Sequence, residues 1–246
     1  MLTLLTATGN RPDAWSMCQR WMMRQTYTGK VRWVIVDDGR EAQPIWFERD
    51  GWTLDVIRPT PFWRLGENTQ ARNLLAGLDA IGADAWVVVI EDDDWYAPEW
   101  LAHVKDKLCK TELAGEHSAR YYNVQTRVYQ QLRNVQHASL CSTALRGRAL
   151  ETLREVCMSR PTFIDLELWR RHQPLVKLFE GQRVLGIKGL SGRGGIGMGH
   201  RMDMSRGQVD SDGKVLRQWI GMDADAYLRR QSGTLHETAS GSVNLP

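Results

Sequence analysis

Four consecutive carboxylates, Glu91-Asp92-Asp93-Asp94, are the side chains of this sequence that point most clearly to chemistry. They directly follow the apolar stretch 86–90, which has the composition of a buried strand. Acidic groups packed together repel one another and raise each other's pKa, and a hard divalent cation with oxygen ligands relieves that repulsion. This acidic run therefore predicts a metal site at the end of a strand. The alternative interpretation is a solvated acidic turn that caps the next helix at Pro98.

A glycine-rich stretch, Lys188–His200, carries a second chemical signal. Glycines let backbone N–H groups approach a phosphate closely, and Lys188, Arg193 and Arg201 can offset the charge of a diphosphate. The stretch lacks the Gly-Lys-Ser/Thr ending of a Walker loop. We therefore expect it to contact phosphate in some way other than a P-loop.

The elements that must position these groups alternate between strand and helix in the first half of the chain. The strand-like segments are Leu2–Thr6, Trp33–Val36, Thr53–Ile57 and the stretch that ends at Glu91, and apolar residues recur at helical spacing over 15–22 and 71–78. This alternation predicts an α/β fold with a mostly parallel sheet. Ligands bind beyond the carboxyl ends of such strands, so we expect the loops 8–11 and 37–39 to meet the acidic run in one site.

The second half of the chain has a different pattern. Tyr122, Val124 and Val128 alternate with polar residues, which predicts antiparallel strands with one solvated face. A chain of 246 residues with 42% hydrophobic content can bury one large core. We predict one domain over residues 1–231, followed by a flexible tail of small polar residues at 232–246.

Composition excludes several classes of protein. There is no apolar run long enough to cross a bilayer, and the N-terminus lacks the sections of a signal peptide, so we expect a cytoplasmic protein with no membrane partner. The four cysteines are widely scattered, which argues against a zinc site or a redox dithiol. The net charge of +3 permits an anionic partner but does not require one.

Four motifs in order give the chain a resemblance to a known family. They are Leu4–Pro12, Val34–Gly39, Ala71-Arg72-Asn73 and Ile90–Leu101. Together they resemble the nucleotide-sugar-dependent glycosyltransferases of the GT-A fold, in particular the family-two group. The resemblance implies a Rossmann-like, mostly parallel central sheet with a small antiparallel portion on the acceptor side. It also implies a nucleotide-sugar-binding half, residues 1–110, and an acceptor-binding half, residues 111–231.

The resemblance assigns a donor site. In this family the loop after the first strand and the carboxylate after the second strand hold the nucleotide base and ribose, which implies such roles for Thr6, Thr8, Arg11 and Asp37 or Asp38. A carboxylate can accept a hydrogen bond from the imide N–H of uracil, and a UDP-sugar is the expected donor. Arg72 resembles the family's base- or phosphate-contacting arginine at a helix start. The alternative for Asp37 and Asp38 is an ordinary Asp-Gly turn. The alternative for Arg72 is a surface salt bridge.

The acidic run corresponds to the Asp-x-Asp motif of this family, with Glu91 where the first aspartate usually stands. By resemblance, Asp93 is the direct ligand of a Mn²⁺ or Mg²⁺ ion and Glu91 faces the ribose or a metal-bound water. Asp92 or Asp94 can share the ion. His200 is placed like a third metal ligand of the family, although a solitary histidine is also an ordinary surface residue. Such an ion offsets the charge of the leaving diphosphate, with Lys188 and Arg193 beside it.

The acceptor hydroxyl must lose a proton during transfer. The family places an acidic residue before an apolar and arginine-containing helix for this task, which in this sequence implies Asp165, with Glu167 in reserve. Thr162 and Asp165 also have the spacing of a capping box, in which Asp165 only satisfies a backbone donor. The resemblance further implies inversion of the anomeric centre through a single displacement.

DNA is the acceptor partner that the second half of the sequence suggests. Aromatic residues are interleaved with arginines there, as in proteins that bind a phosphate backbone and stack bases; the set is Tyr121, Tyr122, Tyr129 and Trp169 with Arg120, Arg127, Arg133, Arg146, Arg148, Arg154, Arg170 and Arg171. The chain also resembles bacteriophage glycosyltransferases, some of which modify hydroxymethylated pyrimidines in viral DNA. Arginines on solvated faces explain the same composition. A non-catalytic nucleotide-binding module and a nucleotidyltransferase stay open as alternatives.

Overall fold

The computed structural model describes residues 1–172, 176–195 and 207–228. Its strands are β1 (Leu2–Thr8), β2 (Val31–Asp37), β3 (Trp52–Ile57), β4 (Val87–Val89), β5 (Trp95–Tyr96), β6 (Leu113–Glu116), β7 (Arg120–Asn123), β8 (Val128–Gln131), β9 (Thr143–Leu145), β10 (Val176–Phe179), β11 (Val184–Lys188) and β12 (Gln208–Val209). Its helices are α1 (Pro12–Met23), α2 (Gln70–Asp79), α3 (Trp100–Leu108), α4 (Arg148–Ser159), α5 (Ile164–Arg171), α6 (Lys214–Ile220) and α7 (Ala224–Leu228).

A seven-stranded sheet in the order β10-β6-β9-β4-β1-β2-β3 forms the centre of the fold. Strand β1 runs parallel to both β2 and β4, and β3 runs parallel to β2. Strand β9 is antiparallel to its neighbours β4 and β6. The predicted α/β class, with a mostly parallel sheet and a smaller antiparallel portion, is confirmed. Because this sheet takes strands from both 1–110 and 111–231, the two predicted halves share one sheet.

A second sheet in the order β12-β8-β7-β11-β5 connects the acidic run to the C-terminal part of the chain. Strand β11 pairs in parallel with β7 and antiparallel with β5. Strand β5 begins directly after Asp94, and β11 ends at Lys188. This pairing therefore brings a lysine from the glycine-rich stretch to the acidic run.

Helices pack on both faces of the central sheet. On one face, α1 contributes Trp15 and Trp21 to a cluster that includes Trp33 of β2. Pro12 occupies the first position of α1, where its missing N–H costs no helical hydrogen bond. On the other face, α2, α4 and α5 pack together over β1 and β4. No helix among the described residues combines the length and the apolar character needed to cross a membrane.

Candidate functional site

A cleft of about 580 Å³ opens where β1 and β4 end. The predicted site residues that line it are Thr8, Arg11, Glu91, Asp92, Asp93, Asp165, Lys188 and Arg193. They come from the last residues of β1 and β11, from the loops after β1, β4 and β11, and from the start of α5. The carboxyl ends of parallel strands thus gather the polar loops at one edge, as the strand pattern predicts.

Asp92 and Arg11 form a buried ion pair at the floor of the cleft. The hydroxyl of Thr8 donates to Asp92 Oδ2 at 2.7 Å, and Arg11 Nη1 donates to Asp92 Oδ1 at 2.6 Å. Arg11 Nη2 then reaches Asp93 Oδ2 at 2.8 Å. Asp92 is 1% exposed, so its charge is matched by Arg11 rather than by water. Asp92 therefore fixes the position of Arg11 against Asp93.

Lys188 is a second buried cation of the cleft. Its Nζ lies 3.1 Å from Asp94 Oδ1 and 3.5 Å from Asp93 Oδ2. The backbone N–H of Ile187 donates to the same oxygen of Asp94 at 2.8 Å, so the end of β11 is fastened to the acidic run. Asp94 Oδ2 is buried and has no hydrogen-bond partner among the described residues.

The acidic run holds more negative charge than these cations offset. Burial and the charge of Asp94 raise the pKa of Glu91 to about 8, although Lys188 acts in the opposite direction. Burial likewise raises the pKa of Asp94 to about 6 against the effect of Lys188. Neighbouring carboxylates with raised pKa values and an unpartnered oxygen fit a further cation with hard oxygen ligands.

The distances between ligand atoms indicate which groups could hold such a cation. Among the described residues, Glu91, Asp94 and Cys141 form a group of three potential metal ligands. Their ligand atoms lie within 4.8 Å of one another. Glu91 Oε1 also accepts from Gln70 Nε2 at 2.7 Å. Asp93, the ligand predicted from the sequence, is outside that group and contacts Arg11 and Lys188. His200 and Arg201 lie outside the described residues.

The loops after β1 and β2 touch through a glycine. Gly9 has φ +141°, and a Cβ at this position would lie 2.3 Å from Asp38 Oδ1. Asp38 is completely buried and accepts from Arg193 Nη1 at 2.7 Å, from Arg72 Nη2 at 2.9 Å and from the hydroxyl of Thr69. A larger residue than glycine would displace this carboxylate and with it both arginines.

Arg193 anchors the described part of the glycine-rich stretch over the cleft. Its backbone N–H donates to the carbonyl of Asn10 at 3.0 Å, and its guanidinium lies 4.8 Å from the centre of the Trp63 ring. Gly194 and Gly195 line the cleft beside it. The stretch therefore delivers a cation and small residues to the same opening as Arg11.

Other predicted donor-site residues do not line the cleft. Thr6 is completely buried, and its hydroxyl accepts from Trp33 Nε1 at 2.9 Å. Asp37 accepts from the backbone N–H of Gly39 at 3.0 Å and of Gln43 at 2.8 Å, the contacts of an Asp-Gly turn. Arg72 donates to the carbonyl of Pro61, to Asp38 and to Asn73, so it contacts the cleft indirectly, through residues that line it or that hold Arg193.

Asp165 contributes to the cleft from the start of α5. The helix begins at Ile164 with Phe163 as the N-cap residue, and Asp165 Oδ1 accepts from the N–H of Leu166 at 2.9 Å. Thr162 and Asp165 therefore do not form a capping box, although Asp165 does satisfy one backbone donor of the first turn. Burial raises the pKa of Asp165, against the effects of the Leu166 N–H and of His137.

The structure does not bring Glu167 into the cleft. Its oxygens accept from Arg170 Nη2 at 2.7 Å, from Arg170 Nε at 3.0 Å and from Arg171. Hydrogen bonds from these two arginines lower the pKa of Glu167 to about 2. A carboxylate with so low a pKa is a poor proton acceptor, and Glu167 as the reserve base stays a prediction from the sequence.

The cleft also contains residues that the sequence did not single out. Segment 132–137 lines it with Leu132, Asn134 and His137, and Phe163 lies beside Asp165. Gln70 touches Glu91 from the first turn of α2. These residues carry no motif, and only the packing of distant segments brings them to the site.

The arginines and aromatics that suggest DNA occupy different parts of the molecule. Tyr122 and Trp169 belong to the core, and Arg120 is 3% exposed with a hydrogen bond to the carbonyl of Gln182. Arg146 binds backbone carbonyls, and Arg154 pairs with Asp79. Of the whole set, Tyr121 and Arg133 line the cleft.

Comparisons with known proteins agree with this architecture. The family model described as Glycosyl transferase family 2 matches residues 22–202. No curated protein matches the chain. At the level of structure, the crystal structure of S. aureus TarS is similar with a TM-score of 0.53 and 11% identity, over 76% of this chain and 37% of that chain.

Two further structures extend the comparison. S. aureus TarS 1-349 in complex with UDP has a TM-score of 0.54 and 10% identity, over 76% of this chain and 60% of that one. The complex of TarS 1-349 with UDP-GlcNAc has a TM-score of 0.50 and 8% identity, over 76% and 58%. At these identities the likeness shows a shared fold. This chain spans less than two thirds of the length of each of these proteins.

Proposed function

The chain belongs to glycosyl transferase family 2, and from this premise we propose that it transfers a sugar from a nucleoside diphosphate donor to a hydroxyl acceptor. The observation that carries the proposal is one cleft in which three carboxylates of the acidic run, three cationic side chains and the carboxyl group of Asp165 meet. The S. aureus TarS structures with UDP and UDP-GlcNAc support a uridine diphosphate sugar as the donor.

In this proposal, Arg11, Lys188 and Arg193 bind the donor diphosphate. All three are cations of the cleft, and each is fixed by a buried carboxylate: Asp92, Asp94 and Asp38 respectively. Such preorganised charges act strongly where water is excluded. Thr8 supports Arg11 through Asp92. Direct contact of Thr6, Asp37, Asp38 or Arg72 with the nucleotide stays a prediction from the sequence.

We propose that a divalent cation, Mn²⁺ or Mg²⁺, binds at the acidic run. Glu91, Asp93 and Asp94 would hold it, and the raised pKa values and unpartnered Asp94 oxygen support this assignment. When bound, the cation supplies electrostatic stabilisation of the leaving diphosphate. Arg11 must yield part of its contact with Asp93 for that carboxylate to take part. The role of His200 stays a prediction.

Asp165 is our proposed base for the acceptor hydroxyl. It lines the cleft, and its raised pKa brings it closer to the range in which a carboxylate accepts a proton efficiently. The hydroxyl oxygen forms the new bond to the anomeric carbon, its proton passes to Asp165, and the nucleoside diphosphate leaves. A single displacement of this kind inverts the anomeric centre.

A DNA acceptor, with a hydroxymethylated pyrimidine as the target, stays a prediction from the sequence, as does a cytoplasmic location. Tyr121 and Arg133 in the cleft support the DNA acceptor, whereas the other basic residues of that set are spread over the molecule. A salt-sensitive shift of duplex DNA by the protein is the expected result if it holds. If the protein does not bind DNA at low ionic strength, the prediction of a DNA acceptor is refuted.

Product analysis separates the proposed function from its alternatives. The protein is incubated with UDP-glucose or UDP-GlcNAc and Mn²⁺, and slow release of UDP to water or to an added acceptor is the expected result. Release of pyrophosphate would indicate a nucleotidyltransferase. Binding of a nucleotide sugar without any turnover would indicate a non-catalytic module. Asp165→Asn is the matched control, because it removes the base and leaves the cations of the cleft in place.

A further inference from the structure

His137 is held in one neutral tautomer by Asn134. Asn134 Oδ1 accepts from the backbone N–H groups of Gln136 at 3.2 Å and of His137 at 3.3 Å, which fixes the orientation of the amide. The other end of the amide, Nδ2, lies 2.9 Å from His137 Nε2 and must donate to it. Nε2 is therefore an acceptor, and the ring proton resides on Nδ1.

The Nδ1–H group of His137 is available to a ligand. No described residue accepts a hydrogen bond from it, and the ring lines the cleft. Burial lowers the pKa of His137, although the carboxylate of Asp165 acts in the opposite direction, so the neutral form is favoured. The cleft thus presents a fixed hydrogen-bond donor near its proposed base.

An apolar platform lies next to this donor. Phe163 is 55% exposed and Leu166 is 44% exposed, yet both line the cleft on either side of Asp165. Large apolar side chains that remain exposed at the mouth of a polar cleft are typical of ligand contact. We call segments 132–137 and 162–166 the acceptor rim. It joins an apolar surface to a hydrogen-bond donor and a carboxylate.

This combination matches the chemistry of a sugar ring, which has an apolar face of C–H groups and an edge of hydroxyl groups. Resting on the proposed function, we propose that the acceptor rim is a subsite for one sugar ring of the acceptor. The ring packs on Phe163 and Leu166, and His137 donates from Nδ1 to a hydroxyl oxygen next to the one that Asp165 deprotonates.

The charge of the rim favours a sugar over a polynucleotide. Within its two segments Arg133 is the cation and Asp165 is the anion, so the rim has no excess positive charge. A protein that binds a phosphate backbone gains most of its affinity from several cations at once. A neutral ring with hydroxyl groups needs only the apolar contact and the directed hydrogen bonds that the rim supplies.

The first experiment measures UDP release from UDP-glucose and UDP-GlcNAc by the full chain, alone and with a panel of methyl glycosides of common hexoses and N-acetylhexosamines. We expect at least one methyl glycoside to accelerate release. His137→Asn keeps an N–H near the Nδ1 position, whereas His137→Gln keeps a polar group only near Nε2. We expect His137→Gln to raise the KM for the glycoside about tenfold, and His137→Asn to raise it less than about threefold.

Phe163 provides the second pair of variants. Phe163→Ala is expected to raise the glycoside KM about tenfold, while Phe163→Tyr retains the ring and the wild-type value. Hydrolysis of the donor without an acceptor is measured in parallel for all four variants, so that a change in the glycoside KM is separated from a change in turnover. Met158→Ala is the matched control, since Met158 is 65% exposed but does not line the cleft.

The outcomes separate the subsite from the proposed function. If the protein cleaves a donor but only a hydroxymethylated oligonucleotide accelerates release, the sugar subsite is refuted and the transferase remains. If no donor is cleaved, the proposed function fails, and binding of the methyl glycosides is followed by saturation-transfer NMR instead. A signal that Phe163→Ala abolishes would support the subsite in that case, and no signal with the wild type would overturn it.

Discussion

Asp92 stands in the middle of the acidic run, yet its oxygens are already engaged by Thr8 and Arg11. Its neighbours Asp93 and Asp94 instead face Lys188. The four adjacent carboxylates therefore have different tasks, because the turn after β4 brings them to different partners. One carboxylate orients a cationic side chain, and others are left for the metal ion that we propose.

The metal assignment predicts a specific loss of ligand binding in Asp93→Ala. We expect UDP with Mn²⁺ to raise the melting temperature of the wild-type protein, since a ligand that binds only the folded state stabilises it. In the variant, the Mn²⁺-dependent part of this increase should disappear. Differential scanning fluorimetry with and without Mn²⁺ measures it, and Asp50→Ala in an exposed loop is the control. An unchanged Mn²⁺ effect in Asp93→Ala would refute the assignment.

Glu91 predicts a pH dependence for the metal-free protein. Its pKa is raised from 4.5 to about 8 by burial and by Asp94. A group whose pKa is higher in the folded state contributes stability that is present below its unfolded pKa and is lost as the pH rises through the folded value. The melting temperature in EDTA should therefore fall between about pH 5 and about pH 9.

Glu91→Gln is the variant that isolates this effect. Glutamine keeps an oxygen for the hydrogen bond from Gln70 but does not ionise. The variant should gain melting temperature relative to the wild type as the pH rises, and the two should converge below the unfolded pKa of 4.5. Parallel curves across this window would show that the pKa of Glu91 is the same in the folded and the unfolded protein.

Among the strands and helices, the sequence predicted those whose apolar pattern lies within one segment of the chain. The strands β1, β2 and β3 and the helices α1 and α2 follow apolar periodicities within one segment of sequence. Strand β5 has two residues and exists because it pairs with β11 about ninety positions later. The sequence signal for such an element is weak, since its hydrogen bonds are all non-local.

The same distinction explains the site. The acidic run, Arg11 and Lys188 could be predicted because each lies in a motif with its own chemical signature. The hydrogen bond between Arg11 and Asp92 spans 81 positions, and the acceptor rim is assembled from segments that carry no motif. The contrast between Asp165 and Glu167 depends on which helix face meets the cleft, and tertiary packing decides that.

Helix α2 packs against β1 and β2 through a close contact at Gly77. A Cβ there would lie 2.3 Å from Leu5 Cδ1 and 3.0 Å from Val36 Cγ2, and both side chains are completely buried. Gly77→Ala should therefore destabilise the protein. Overpacking costs about 1–3 kcal/mol, and this cost outweighs the gain in helix propensity of about 1 kcal/mol.

The measurement for Gly77→Ala is urea unfolding together with the UDP-induced increase in melting temperature. Both should decrease, because α2 carries Gln70 and Arg72 to the edge of the cleft. Gly82→Ala is the control, since a Cβ at that position meets no atom within 4 Å. Equal stability of the two variants would show that α2 shifts without cost.

At the scale of the whole molecule, the C-terminal helices fasten onto the N-terminal part of the sheet. Trp95 Nε1 donates to Asp223 at 2.9 Å, and Arg24 at the end of α1 pairs with the same carboxylate. The core on this face includes residues of α6 and α7 together with those of α1. The segment 207–228 is therefore part of the same folded unit as the cleft.

A single buried hydrogen bond tests the packing of the C-terminal helices against α1. Trp21 Nε1 of α1 donates to Tyr227 Oη of α7 at 2.7 Å, and both side chains are at most 1% exposed. Tyr227→Phe removes the acceptor and leaves a buried indole N–H unsatisfied, which costs about 1–3 kcal/mol. The midpoint of urea unfolding should shift to lower concentration in one cooperative transition whose slope is unchanged.

Tyr129→Phe is the matched control for this change. Its hydroxyl donates to Gln208 at an exposed position, where water can replace the lost partner, so we expect an effect within about 0.5 kcal/mol. If Tyr227→Phe instead produced a separate early transition, the C-terminal helices would be unfolding on their own. Because Trp21 and Trp15 share α1, which follows directly after Arg11, loosening of this packing should also weaken UDP binding in the same variant.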